Sequence, residues 1–554
     1  MRTLRSDVST AEWRWVIVIS GILVALTLVP YAWALARNET NDSWQFMGML
    51  SNPTDGATYL SKIEQGKRGM WLFQLRYTPE RHDGAGFHAF YLFLGHMARI
   101  TGLSNLVVFH LARVVTSFFM YLSLYYLGAT VWVRLRPRRL FFILSALGSG
   151  LGWLLMLLDP KHLAVDMTVP EAFPFYASYA NPHFPLSIAS LALIAAIYLA
   201  VFRRGFDQAP NVENGGLVVM LLSMLLALVQ PVALVPIGGA LVLYVVVRYW
   251  LTREFPTHEL RWASMLWLPA IPIAIYDIFV FRFNEAMRLF NQQNQTPSPA
   301  VYQYVFGFGV LLVVAIPGLV RAVRRFERDG DQLMLLWLIV NVLGLYMPFN
   351  LQRRLAMGLI LPLSYFAVRA LEDYWLYKVR ENWRVPATMA LIVLLLPTNV
   401  LVLGIPLFGA VFDPDSGLEA GLLLESDYVE AMRWLRENAQ PDEVVLAAPK
   451  VSLWIPAYTD LVVVYGHPFE TIHAEERRQQ VEAWYRGEDC ETLLSGAVPF
   501  RVRYIFWGPQ ERSLAREDAE GHTYPNAGRC VEELPEARVA QVVEKGEVTL
   551  YVIR

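Results

Sequence analysis

Three groups of polar side chains stand out in a chain that is otherwise strongly apolar. The first is the run Asn52-Pro53-Thr54-Asp55-Gly56-Ala57-Thr58-Tyr59-Leu60, which opens a helical pattern. Asp is a favoured N-cap and Asp-Gly a common turn, so Asp55 alone reads equally as a helix cap or as a group kept for chemistry. Tyr59 lies one turn further along the same helical face and can support it. The second group is segment 159–183, with Asp159, Asp166, Glu171 and the run Tyr179-Ala180-Asn181-Pro182-His183; it is too rich in proline and aromatics to be a solvated linker. The third is Asn350-Leu351-Gln352-Arg353-Arg354, with the related stretch 282–304 carrying Arg282, Asn284, Glu285, Arg288 and the amide run 291–295. Adjacent guanidinium groups beside an apolar stretch require an anion. Phosphate suits the planar fork, and the other reading is that the arginines snorkel to lipid headgroups.

The elements that must position these groups are membrane spans. Of the 554 residues, 55% are hydrophobic and only 17% charged, where soluble proteins carry about 25% charged residues. Disorder, collagen and coiled coil are excluded. Uncharged stretches fall at 15–36, 114–133, 140–158, 184–202, 215–247, 262–281, 301–320, 333–349, 355–368 and 385–412. The stretch 215–247 has Gln230-Pro231 at its middle and reads as two short spans, giving eleven in all. The first, behind Arg2, Arg5 and Arg14, reads as a signal anchor rather than a cleaved signal peptide.

Orientation follows from the basic residues of the short loops. With the N-terminus cytoplasmic, segments 1–14, 134–139, 203–214, 248–261, 321–331 and 369–384 lie inside and hold 20 Lys and Arg, against five in the short outer loops. That assignment requires the apolar piece 87–97 not to cross, leaving 87–104, with His88, His96 and Arg99, as a helix at the outer interface. All three polar groups then face outward. So does an acidic tail: residues 413–554 carry 14 basic against 26 acidic residues, whereas 1–412 carry 33 against 23.

The tail reads as a small α/β domain. Helical patterns at 427–438 and 474–485 alternate with strand runs at 444–447, 461–465 and 502–507, followed by a closing hairpin at 538–543 and 547–553. His467 and Glu470 follow a strand, where α/β sheets place ligands, although a turn that begins a helix is the preferred account of them. Cys490 and Cys530 are either a disulfide, closing a loop of about 40 residues worth about 4 kcal/mol, or two separate buried thiols.

These residues and their topology resemble the GT-C-type glycosyltransferases, a family that includes protein mannosyltransferases, aminoarabinose transferases and oligosaccharyltransferase catalytic subunits. Asp55-Gly56-x-x-Tyr59 is similar to the acidic motif of that family's first outer loop, 86–102 to its second juxtamembrane helix, and 431–438 to part of the outer domain of bacterial members. The likeness covers the membrane half, about 410 residues. Two departures stand: Asp55 is followed by Gly56 where protein mannosyltransferases have an Asp-Glu pair, and the second juxtamembrane helix lacks its proline-rich start.

The resemblance implies a polytopic α-helical membrane protein of about eleven transmembrane helices, GT-C-like, with outer juxtamembrane helices (1–412, first outer loop 37–113). A C-terminal extracytoplasmic α/β domain (413–554) completes it. It implies inverting transfer of a sugar from a polyprenyl-phosphate donor to a glycan, lipid or protein acceptor at the outer face of a bacterial plasma membrane. Such transfer needs a base for the acceptor hydroxyl and positive charge for the departing phosphate. Asp55 is the expected base or else a metal ligand, Glu171 or failing it Asp166 the second carboxylate, and Arg353 and Arg354 the phosphate clamp. Tyr59 supports either group. His183 either orients the donor or is structural beside Pro182. A divalent metal (Mg, Mn or Zn) on Asp55 and Glu171 is an open alternative, since no ligand spacing identifies one. A nucleotide-sugar donor is disfavoured because the chain has no P-loop and no G-x-G-x-x-G after a strand. The acidic tail argues against nucleic acid. Two other classes stay open: a transporter or flippase, which would place ionisable residues mid-membrane where this chain has essentially only Asp277, and a non-catalytic glycolipid-binding protein.

Overall fold

The computed structural model describes residues 8–38, 42–203, 214–495, 498–516 and 523–554. Arg2 and Arg5 of the first inner segment, most of the basic loop 203–214 and positions 39–41 of the first outer loop lie outside the described residues. Nine described helices are long and apolar enough to cross a membrane: Thr10–Asn38, Asn105–Val131, Leu135–Leu158, His183–Phe202, Pro231–Thr252, Thr257–Phe283, Val301–Arg325, Gln352–Lys378 and Glu381–Val411. Two shorter apolar helices, Gly215–Val229 and Asp331–Gly344, occupy the remaining expected stretches. Each of the eleven stretches is therefore helical. The one at 333–349 stops at Gly344, where the chain turns instead of completing a full-length span.

Contacts divide the chain into two compact units. The first comprises Met1–Val29, His110–Tyr276 and Thr296–Ile405, and the regular elements among its described residues are helices. Its helices are apolar on several faces: Leu217, Leu221, Val313, Val323 and Val393 are exposed, while Trp337, Tyr121, Tyr198 and Tyr365 are fully buried. Apolar residues on both sides suit a helix with protein on one side and lipid on the other. Buried Ser187 and Ser190 spend their hydroxyls on their own helix, donating to the His183 and Leu186 carbonyls at 2.8 Å.

The second unit comprises Pro30–Phe109, Asp277–Gln295 and Pro406–Arg554. Its first-loop part is a pair of packed helices, Pro53–Lys67 and Ala89–Thr101. Their backbones meet at two glycines. A Cβ on Gly66 would lie 2.2 Å from the Leu92 carbonyl oxygen, and one on Gly95 would lie 2.2 Å from that of Ile63. At 13 residues, Ala89–Thr101 is too short to span.

The tail forms the five-stranded sheet Val462–Val463, Val444–Leu446, Val502–Trp507, Val548–Ile553 and Val539–Lys545, in that spatial order. The first three strands are parallel and the last two antiparallel. Val, Ile and aromatic side chains make the first four of these runs largely buried strands, whereas the edge strand Val539–Lys545 is largely exposed. Helices Ser426–Asn438 and Ala474–Tyr485 are those expected. Cys490 and Cys530 form the disulfide. A short strand, Trp44–Phe46, pairs antiparallel with Leu423–Glu425, tying the first loop to the tail within this unit.

Candidate functional site

In the second unit the helix Pro53–Lys67 presents Asp55, Tyr59 and Lys62 at i, i+4 and i+7, one face of an α-helix. Asn52, in the left-handed conformation (φ 46°), caps the helix. Its Oδ1 accepts from the Asp55 amide at 3.5 Å, and its Nδ2 donates to Asp55 Oδ2 at 2.6 Å. The cap is thus Asn52, and the Asp55 carboxylate is held rather than spent as the cap itself. Its side chain stays one-third exposed, at 33%.

Asp55 Oδ1 lies 3.6 Å from Nε2 of His467. The His467 ring is buried, and its Nδ1 accepts from the backbone amides of Phe469 and Glu470, both at 3.1 Å. An Nδ1 that accepts two N–H bonds carries no proton, so this network assigns the ring proton to Nε2, the atom facing Asp55. One turn on, Lys62 Nζ meets Glu470 Oε1 at 2.6 Å, with both side chains buried. The ammonium also sits 5.5 Å from the Phe73 ring centroid.

The loop bearing His467 and Glu470 is itself clamped. Thr471 Oγ1 donates to the Tyr77 carbonyl at 2.7 Å, and Gln293, from the amide-rich segment, donates to the Thr471 carbonyl at 2.8 Å while accepting from the His473 amide at 3.1 Å. Tyr59 stacks on Tyr91 with centroids 4.2 Å apart. Burial, reinforced by Tyr59 and the Asp55 charge, holds the Tyr91 phenol well above its ordinary value. Near Asp55 the second unit therefore contains three partners that did not stand among the leading site residues: Lys62, His467 and Glu470. The signal for two of them was present in the strand-to-loop position of Gly466-His467-Pro468-Phe469-Glu470. Lys62 reads in sequence as an ordinary charge on a helix, and only its burial distinguishes it.

In the first unit, Glu171 sits in the turn Pro170–Ala172, 3% exposed, with Oε1 3.9 Å from Nε of Arg353. Arg353 and Arg354 lie in the turn Gln352–Ala356, which with Asn350 is hydrogen-bonded to the irregular segment 296–298: Arg353 N to Thr296 O at 3.0 Å, Thr296 N to Asn350 O at 2.7 Å, and Ser298 N to Gln352 Oε1 at 3.2 Å. At 3.9 Å the Glu171 contact is a loose ion pair. The Arg354 guanidinium has no hydrogen-bond or ion-pair partner among the described residues, so charge at this turn remains uncompensated.

Asp166 takes a different place. It is 2% exposed, and its Oδ2 accepts from the Gly150 and Gly152 amides at 2.9 and 3.2 Å, closing the break before the helix Gly152–Leu158. A Cβ on Gly152 would lie 2.1 Å from Asp166 Oδ1. Burial pushes the Asp166 carboxyl up to about 6, against the opposing pull of those amides. His183 is buried at the start of helix His183–Phe202 and packs on Phe184. Among the described residues no group of three or more His, Cys, Asp or Glu side chains is placed to hold a metal ion.

Neither family models nor the curated proteins match the sequence. Solved structures do. The Archaeoglobus fulgidus oligosaccharyltransferase, tethered to an acceptor peptide containing the NVT sequon, aligns with a TM-score of 0.54 at 12% identity, covering 89% of this chain and 69% of that one. ArnT from Cupriavidus metallidurans, bound to undecaprenyl phosphate, aligns at 0.53 and 13% identity over 98% of both chains. At such identities the likeness is one of fold. The chain carries the GT-C architecture of a polytopic helical membrane protein with a C-terminal domain.

Proposed function

Starting from the GT-C fold, we propose that this chain is a membrane glycosyltransferase. It transfers a sugar from a polyprenyl-phosphate donor to an acceptor at the extracytoplasmic face of a bacterial plasma membrane. The observation that carries the reading is Asp55: a partly exposed carboxylate oriented on one oxygen by Asn52 and faced on the other by His467. A base for an acceptor hydroxyl needs such a fixed, solvent-reached oxygen pair. Asp55 takes the acceptor proton as the hydroxyl oxygen attacks the anomeric carbon. The bond from that carbon to the phosphate oxygen breaks with inversion, and the lipid phosphate leaves with the bond's electron pair. His467, whose buried Nε2 lies 3.6 Å from Oδ1, stands beside the Asp55 carboxylate and helps to fix its orientation toward the acceptor.

Arg353 and Arg354 are given the departing phosphate, with bidentate guanidinium contacts offsetting its charge. Glu171, loosely paired with Arg353, orients that guanidinium or serves as the second carboxylate. Tyr59 lends its ring and hydroxyl to the Asp55 face, and His183 is assigned to the donor side. Support for a lipid-linked donor comes from the fold and from the arginine pair.

The test is transfer from labelled polyprenyl-phosphate sugars by the membrane-embedded protein, wild type against Asp55→Asn. Loss of at least about a hundredfold in transfer, with folding intact, is expected from removing a general base. Equal transfer by the folded variant removes Asp55 as base. No transfer by wild type with any donor favours a transporter or a non-catalytic glycolipid-binding protein.

A further inference from the structure

The second unit contains a cavity of about 1020 Å³, separate in its lining from Asp55 and His467. First-loop segment 74–82 forms one wall, the starts of strands Val444–Leu446 and Val462–Val463 another, and segment 498–503 a third. Its size suits a bound oligomer of a few sugar rings.

The walls are preformed. Arg76, buried, binds Asp460 at 3.0 Å and also Asp442. Glu80 is held by Arg477 at 2.6 Å, and the His82 ring accepts from the Leu75 amide at 2.9 Å. Its charged lining consists of Arg76, Arg81, Arg501 and Arg503 with the carboxylates of Glu80, Asp442 and Glu443, interspersed with apolar residues. Four guanidinium groups around one space are unexpected beside a tail with 14 basic against 26 acidic residues. Their charges are not all spent. Arg76 has its carboxylates, and Arg503 has Glu443 at 3.5 Å. Arg501 donates to the backbone oxygen of Arg554, and exposed Arg81 has no hydrogen-bond or ion-pair partner among the described residues. Four guanidinium groups against the three lining carboxylates Glu80, Asp442 and Glu443 leave an excess of positive charge that a bound anion offsets.

Phe500 adds an apolar ring, with the Arg477 guanidinium 5.0 Å from its centroid. Guanidinium forks for an anion, carboxylates and an amide (Gln74) for hydroxyls, and an aromatic face for a pyranose ring form one coherent set of binding groups. We infer that this cavity binds a phosphate- or carboxylate-bearing saccharide. That the saccharide is the anionic portion of the acceptor rests on the transferase reading; its binding does not.

The experiment titrates the full-length protein in detergent with mannopentaose phosphate, trigalacturonate and neutral mannopentaose, using calorimetry. Inorganic phosphate and a phosphoserine peptide serve as comparison ligands. Saturable binding of one anionic saccharide at least tenfold tighter than the neutral one is expected, and the two anionic arms distinguish phosphate from carboxylate. Arg81→Ser, at an exposed unpartnered side chain, should weaken that binding several-fold with unchanged melting. Arg81→Ser/Arg501→Ser should weaken it at least tenfold. Equal affinity for neutral and anionic saccharides overturns the inference, as do unaltered binding by the double variant and equally tight binding of the phosphopeptide or inorganic phosphate. Asp55→Asn should bind as wild type does, so failure of the transferase reading and failure of this site are read separately.

Discussion

Replacing Asp166 by Asn separates a structural carboxylate from a chemical one. Asp166 is almost fully buried, with Oδ2 accepting two backbone amides, and burial pushes its carboxyl up to about 6 from the ordinary 3.8 against the pull of the Gly150 and Gly152 amides and the Thr398 hydroxyl. Because the folded-state value lies above the unfolded one, ionisation is penalised by the fold. The stability this group contributes is complete below about pH 4 and is lost as the pH rises through about 6. A shift of about two units corresponds to a penalty of roughly 3 kcal/mol at pH 7.5 and roughly 1 kcal/mol at pH 4.5, as an order of magnitude.

Asn keeps an oxygen for the Gly150 and Gly152 amides and does not ionise. Asp166→Asn should therefore be more stable than wild type at pH 7.5 by up to roughly 3 kcal/mol, with the gain shrinking to roughly 1 kcal/mol at pH 4.5. Denaturant unfolding of the full chain in mixed micelles, followed by tryptophan fluorescence at both pH values, measures it. A variant less stable than wild type at pH 7.5, or a gap independent of pH, refutes the reasoning. The same proteins in the transfer assay then decide between the two carboxylates. Retained transfer leaves Glu171 as the second carboxylate, and lost transfer with gained stability would make Asp166 part of the chemistry.

Two further outcomes follow from packing. Lys62→Met or Glu470→Leu alone strands a buried charge and should cost about 3–5 kcal/mol, whereas the double substitution should recover most of it; a double-mutant cycle on unfolding midpoints tests this, and additive losses would show the pair to be uncoupled. Gly66→Ala pushes a methyl into the Leu92 carbonyl and should destabilise by roughly 1–3 kcal/mol. Gly21→Ala, with nothing within 4 Å, is its neutral control in the same melting experiment.

Much of the architecture was legible because its signals are local. Hydropathy located all eleven apolar helices, since an uncharged run of spanning length has few alternatives. Alternation of helical and strand patterns placed the tail's strands close to their observed limits. Tyr59 fell on the Asp55 face because helical periodicity alone decides that.

Partnerships between distant segments were not legible. Lys62 and Glu470 are 408 residues apart, and nothing in either local sequence marks the other. Cys490 and Cys530 offered two readings until the fold brought them into one bond. Asp166 and Glu171, five positions apart, looked interchangeable. Folding sent one to the backbone amides at Gly150 and Gly152 and the other toward Arg353.

Composition and periodicity by themselves thus determined that this is a helical, many-span chain with an α/β tail and a short list of unusual polar residues. Only the tertiary structure decided which of those residues are spent on the fold and which keep an atom free for chemistry. Burial and hydrogen-bond saturation are properties of the surrounding atoms, and those atoms come from segments hundreds of residues away.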